Sequence, residues 1–164
     1  MRMLLADWEF DVNIELTMEL SADQASDHCM CGYCRNFYAS IDSVCPTARR
    51  FLARFGLDIE GPDELCPIEP TIYEASYIVQ GSILRAGTVP LRIDNIPLQI
   101  LTADAADMAT EHPAPYFVLR MGLIELPWVL DEPMDEVLSP TNEESYLKRI
   151  EEKLLQYAAN EFNS

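Results

Sequence analysis

Apolar and polar side chains alternate without a fault from residue 8 to residue 20. Trp8, Phe10, Val12, Ile14, Leu16, Met18 and Leu20 stand against Glu9, Asp11, Asn13, Glu15, Thr17 and Glu19. A period of two over this length predicts one long half-buried strand, with one face in the core and the other strongly acidic. The pattern then changes. Residues 35–44 read as a short helix, stopped at Cys45-Pro46 because proline loses a helical hydrogen bond and clashes with the preceding turn. A second helix is predicted over 47–56, with Ala48, Phe51, Leu52 and Phe55 on one face and Gly56 placed as its C-terminal cap. The segment "DIEGPDELCPIEP", with Gly61 and three prolines, reads as a connection.

Three further strands are predicted, at 71–85, 89–103 and 115–126. Turn signals at Ala86-Gly87 and Asp94-Asn95 lie between or within them, and such short links favour antiparallel neighbours. Pro90 and Pro97 point to an edge or bulged position for the middle strand. "ELPWVLDEPMDEVLSP" is extended, with Trp128, Val129 and Leu130 expected to plug the core rather than to form a ligand platform. Thr141 and Glu144 form a capping box ahead of a helix over 142–161, supported by the Glu144/Lys148 pair and by an apolar stripe of Leu147, Ile150, Leu154, Tyr157 and Ala158. The expectation is a single α+β domain spanning 1–164, a mostly antiparallel sheet of about four strands packed against two or three helices.

Composition narrows the function classes. A chain of 164 residues with 49% apolar side chains can bury roughly 70% of its unfolded surface, so it holds one substantial core. No apolar run reaches the roughly 18 residues of a membrane helix, and "MRMLLADWEF" is too short of apolar residues for a signal-peptide core, so a cytoplasmic location with reduced thiols is expected. The net charge of −17 argues against direct binding to nucleic acid or to an anionic membrane. It leaves room for a protein partner, including a nucleic-acid-binding one that would be met by an acidic DNA mimic. Charge is uneven: Arg35, Arg49, Arg50 and Arg54 face only Asp42 across 31–57, whereas 58–70 carries Asp58, Glu60, Asp63, Glu64 and Glu69 with no base. An intramolecular match between these two segments is the expectation.

The candidate chemistry sits in "HCMCGYC". Zinc takes four tetrahedral N or S ligands, and a C-x-x-C turn points two sulfurs inward. Cys31 and Cys34 give that pair, Cys29 extends it, and the fourth ligand would come from His28, Cys45 or Cys66. His28 and Cys29 are adjacent and awkward as joint ligands of one ion, and no second compact pair of ligands exists in the chain. The competing reading is a thiol-disulfide oxidoreductase with Cys31 as nucleophile and Cys34 as resolving thiol, since a helix start lowers a thiol pKa. "Thr88-Val89-Pro90" resembles the segment that glutaredoxin-like proteins place beside their active cysteines. That fold, however, needs a parallel strand running straight into the first cysteine, and here polar residues intervene. The third reading is plain packing of thiols, for which Cys45 and Cys66, each before a proline, are the best fits. His112 reads as a loop residue, and no Ser/His/Asp, H-E-x-x-H or phosphate-loop pattern is present. The acidic pairs Asp131/Glu132 and Asp135/Glu136 lack a calcium-loop spacing.

"HCMCGYCRNFY", "FLARFGLDIEGPDEL" and "PWVLDEP" together resemble motifs of a group of small bacterial proteins with a C-x-C-x-x-C cluster and no assigned activity. The resemblance implies a fold other than thioredoxin's and brings no catalytic residue with it. The reading from sequence is a small acidic binding or regulatory protein without a catalytic signature, with zinc as the candidate cofactor.

Overall fold

The computed structural model describes residues 1–24, 29–134, 151–152 and 155. The alternating run at 8–20 divides at Asn13. Strand β1 (Arg2–Leu5) turns back into β2 (Trp8–Val12), and helix α1 (Ile14–Gln24) follows at once. Asn13 makes the switch: its side-chain oxygen accepts from Leu16 N at 3.1 Å and its carbonyl accepts from Thr17 N at 3.0 Å, an N-cap in all but name. The predicted 13-residue strand is therefore corrected to a five-residue strand and a helix. Apolar residues at 14, 16, 18 and 20 also supply the i, i+4 pairs 14/18 and 16/20, so the alternation fits either element. The helix buries Thr17 rather than a large side chain. The Thr17 hydroxyl donates to Asn13 O at 2.8 Å and accepts from Gln80 N at 3.0 Å, whereas Met18 remains 57% exposed.

Next come α2 (Gly32–Val44), α3 (Pro46–Ala53), β3 (Glu64–Glu69), the 14-residue β4 (Ile72–Arg85), β5 (Leu91–Ile93), β6 (Ile96–Thr102), the single turn α4 (Ala103–Ala106) and β7 (Tyr116–Glu125). The expected four-strand sheet is in fact a seven-stranded antiparallel one, ordered β1-β2-β4-β7-β6-β5, with β3 on the first half of β4. Three predictions account for the difference. The "connection" after Asp63 pairs with β4 from Glu64↔Ser76 to Glu69↔Ile72, and its Pro67 is tolerated because β3 is an outer strand. The 89–103 strand folds back on itself at Asp94 and Asn95, which both take left-handed φ values of 52° and 63°, a two-residue hairpin turn that joins Ile93 to Ile96. The third is the N-terminal segment, for which the sequence predicts no strand: β1 pairs antiparallel with β2 from Arg2↔Asp11 to Leu5↔Trp8. Nearly all of the helix predicted over 142–161 lies outside the described residues; 151, 152 and 155 are helical. Four helices, not two or three, precede it among the described residues.

One face of the sheet carries the main core. Phe10, Tyr73, Ala75, Tyr77, Val79, Phe117, Leu119 and Met121 pack against Phe37, Ile41, Ala48, Phe51, Leu52 and Phe55 of α2, α3 and the turn after them. Phe10 stacks on Phe117 with centroids 5.0 Å apart, and Phe55 meets both edge-on. Burial of a large apolar side chain contributes about 1.5–3 kcal/mol, so this layer dominates stability. Gly56 closes α3 at φ +85°, and a Cβ there would lie 2.8 Å from Ile14 O. The missing side chain thus provides both the left-handed cap and room for α1.

The opposite face is smaller and more polar. Ile78, Val118 and Ala106 form its apolar cluster. Arg120 donates to Ser76 Oγ at 2.9 Å and to Ala106 O at 3.3 Å, and lies 3.9 Å from Glu74. The loop before β7 is latched there too. His112, expected as a plain loop residue, lies in that loop with its ring buried, Nδ1 3.0 Å from Gln80 Nε2 and Nε2 3.2 Å from Asp63 Oδ1. Asp63 in turn accepts from Ile78 N at 2.7 Å. Burial pushes the Asp63 carboxyl up, against the opposing pull of that N–H and of His112. The ion pairs of Arg49, with Asp42 at 3.1 Å, and of Arg35, with Glu132, are made outside the acidic 58–70 segment, although the charge of Arg49 also acts on Glu60.

Candidate metal centre

α2 starts at Cys31. That residue has extended dihedrals (φ −65°, ψ 161°), and its sulfur accepts from Cys34 N at 3.5 Å, so a thiol occupies the capping place usually held by a Ser, Thr, Asp or Asn oxygen. One helical turn separates residues 31 and 34, which sets both side chains on the same side of the helix start. The chain ahead of the cap brings in Cys29. The sulfurs of Cys29, Cys31 and Cys34 all lie within 4.8 Å of one another. A tetrahedral zinc with bonds of about 2.3 Å spaces its sulfurs by ~3.8 Å, so closing this triangle on an ion needs only a small contraction.

The three thiols occupy different environments. Cys29 and Cys31 are exposed, and Cys34 is buried at the base of the triangle. The Cys31 backbone N–H, then the Cys31 and Cys34 thiols, hydrogen-bond the Cys29 sulfur and lower its pKa below the ordinary thiol value. Burial, followed by its hydrogen bonds to Cys31 and Cys29, pushes Cys34 far up. The cluster can present three sulfur ligands to a metal ion. Tyr38, one turn further along α2, hydrogen-bonds Cys34; burial first, then the negative charge of the three sulfurs, pushes its hydroxyl up to about 12.

The triangle rests on a firm base. Asn36 is completely buried, donating to Pro127 O at 3.0 Å and to the Tyr73 hydroxyl at 3.3 Å while accepting from Val129 N at 2.8 Å. The Tyr73 hydroxyl donates to Tyr33 O at 2.8 Å. Trp128, placed by the sequence as a core plug, packs edge-on against Tyr33 with centroids 5.9 Å apart, and its indole N–H donates to Glu132 O at 2.8 Å. Arg35 ties the loop down from both sides, donating to Met30 O at 2.9 Å and pairing with Glu132. Residues 127–132 thus strap the first two turns of α2 to the sheet. Asn36 and this strap were missed at the sequence level. The one available signal was an Asn inside a helix, where it is disfavoured unless its amide has partners.

The other candidate ligands lie apart from the triangle. Cys45 caps the C-terminus of α2, 11 residues beyond Cys34 and so ~16 Å away along the helix axis. Its thiol is buried and pushed up to about 11 by burial and by the charge of Asp94. Cys66 is on β3 opposite Glu74. His28 lies outside the described residues, as do Asp135 and Glu136. No disulfide joins any two of the five cysteines.

The thioredoxin-like arrangement is not found. Every strand pair among the described residues is antiparallel, and α1, not a strand, precedes the cysteine loop. Thr88 and Val89 do not flank the cysteines: their backbone N–H groups donate to the Asp7 carboxylate at the turn between β1 and β2. No described helix is long and apolar enough to cross a membrane. The chain matches no protein-family model, no curated protein and no solved structure.

Proposed function

We propose that this chain is a small non-catalytic binding or regulatory protein whose Cys29, Cys31 and Cys34 hold a structural zinc ion. The observation that carries the reading is the convergence of three sulfurs within 4.8 Å at the capped start of α2. Zinc fits a thiolate donor set, since soft sulfur ligands favour it over magnesium or calcium. Its charge would offset the thiolates gathered at one helix start and displace their remaining protons. The ion would tie the loop before α2 to a helix whose next turn is already fixed by Asn36 and the 127–132 strap. Its role is to hold this surface in one shape for a protein partner; the acidic exterior of the chain makes that partner's complementary face basic.

Metal analysis of protein purified without a polyhistidine tag tests the assignment. One zinc per chain and a loss of stability on chelation are expected; less than about 0.2 zinc per chain with no such loss would refute it.

A further inference from the structure

We propose that Cys31 and Cys34 are a site of oxidation by hydrogen peroxide: Cys31 takes the oxidation as a sulfenic acid, Cys34 resolves it as a disulfide, and an ion held by the cluster is released. The oxidation stands on the sulfur triangle alone; only the release of the ion rests on the metal reading above, whose regulation it supplies. The Cys31 sulfur is fixed over the first turn of α2 by the Cys34 N–H, at 3.5 Å, and lies within 4.8 Å of the Cys34 sulfur. The two residues sit one turn apart on the same side of the helix start, whereas Cys29 precedes it. Exposure differs across the pair: Cys31 is open to solvent and Cys34 is 3% exposed. An oxidant in water therefore meets Cys31 first, and the sulfenic acid forms beside a thiol that the oxidant has not reached. Cys34 is held in place for the second step, because Asn36 in the same turn is fully buried and bonded to Pro127, Tyr73 and Val129. Cys45, at the far end of α2, and Cys66, on β3, stand apart from the triangle.

The Cys31 sulfur attacks one peroxide oxygen, the O–O bond breaks, and the departing hydroxide takes the Cys31 proton to become water. The Cys34 sulfur then attacks the oxidised Cys31 sulfur. An S–S bond forms, the S–O bond breaks, and the hydroxide leaves as a second water with the Cys34 proton. Two thiols lose two electrons in all, and one peroxide gains them. With an ion bound to the thiolates, both protons come from solvent instead. The disulfide removes two of the three sulfur donors, Cys29 alone does not retain the ion, and the loop before α2 loses its tie.

The test treats the full-length untagged chain with hydrogen peroxide, metal-free and zinc-loaded, and follows its intact mass together with zinc release to a coloured chelator. A mass loss of about 2 Da, reversed by a phosphine, is expected in both forms, with zinc released in step. Cys29→Ser should keep that loss. Cys34→Ser should slow it by about tenfold or more and leave a gain of about 16 Da, a sulfenic acid at Cys31 that dimedone traps. Cys31→Ser should slow the loss by a similar factor. Gains of about 32 or 48 Da in the unaltered chain without the 2 Da loss would overturn the proposal. So would a loss that Cys29→Ser abolishes, or one that Cys34→Ser or Cys31→Ser leaves intact. A chain that forms the disulfide metal-free but never holds zinc would refute the metal reading and the ion release while confirming the oxidised pair.

Discussion

α2 begins and ends on a cysteine, and its two ends treat sulfur in opposite ways. At the start, Cys31 caps the helix in the open, its neighbour Cys29 is exposed, and hydrogen bonds from two thiols and a backbone N–H favour a thiolate. At the end, Cys45 is 3% exposed, packed in the main core, and faced by the negative charge of Asp94, so it stays a thiol. Both residues belong to the same helix and the same cysteine-rich stretch. What separates them is water, the sign of the nearby helix end and the number of donors within reach. Reactivity and metal affinity are properties of these surroundings rather than of the residue type.

Substitution at the two ends should break this contrast in measurable steps. The largest effect is expected from Cys34→Ser, which removes the buried corner of the triangle: zinc stoichiometry should fall close to zero, a loss of 100-fold or more in affinity (about 2.7 kcal/mol). Cys45→Ser should leave the stoichiometry at that of the unaltered chain. Equal zinc loss in both would erase the distinction between the ends.

Next in size is Asn36→Ala, which removes a fully buried amide and leaves the partly buried Val129 N–H and Pro127 carbonyl without their partner. A destabilisation of about 2–4 kcal/mol is expected from denaturant midpoints. Chelation of the unaltered protein should cost about 2 kcal/mol, read as a melting temperature lowered by about 4–8 °C in a chain of this size. The chelator should shift the Cys34→Ser protein far less.

A smaller, pH-dependent effect belongs to the other end of α2. The Cys45 thiol titrates at about 11 in the folded chain against an ordinary value of 9.0. Between those values the unfolded chain has given up this proton while the native chain still holds it, so the native state binds more protons and loses stability as pH rises. The contribution is fully present below pH 9. Cys45→Ala should flatten the decline in the unfolding midpoint between pH 9 and 11; an unchanged slope would show that this thiol is not the cause. Smallest of all is Arg35→Gln, which removes a half-exposed ion pair and should cost under about 1 kcal/mol.

Much of this contrast was legible in the residues themselves. C-x-C-x-x-C spacing ahead of an amphipathic run located the helix start and its three sulfurs, and Cys45-Pro46 located its end, because caps and proline act within a few residues of themselves. The sheet was harder to read. An alternating run satisfies strand and helix alike until a cap decides, and Asn13 decided it through hydrogen bonds to Leu16 and Thr17. Asp94 and Asn95 stood within a predicted strand, and their left-handed dihedrals made it two. β3 looked like a linker by its prolines, yet a long partner strand supplied the pairing that its own propensity did not. The Asn36 network was least legible, since it joins residues more than 90 apart in sequence.

The central claim is that Cys29, Cys31 and Cys34 act together on one ion. X-ray absorption at the zinc edge of the untagged protein tests this directly. A first shell of at least three sulfur atoms at about 2.3 Å, lost in Cys34→Ser and kept in Cys45→Ser, is the predicted result. A shell of oxygen and nitrogen alone, or a sulfur shell that survives Cys34→Ser unchanged, would contradict it.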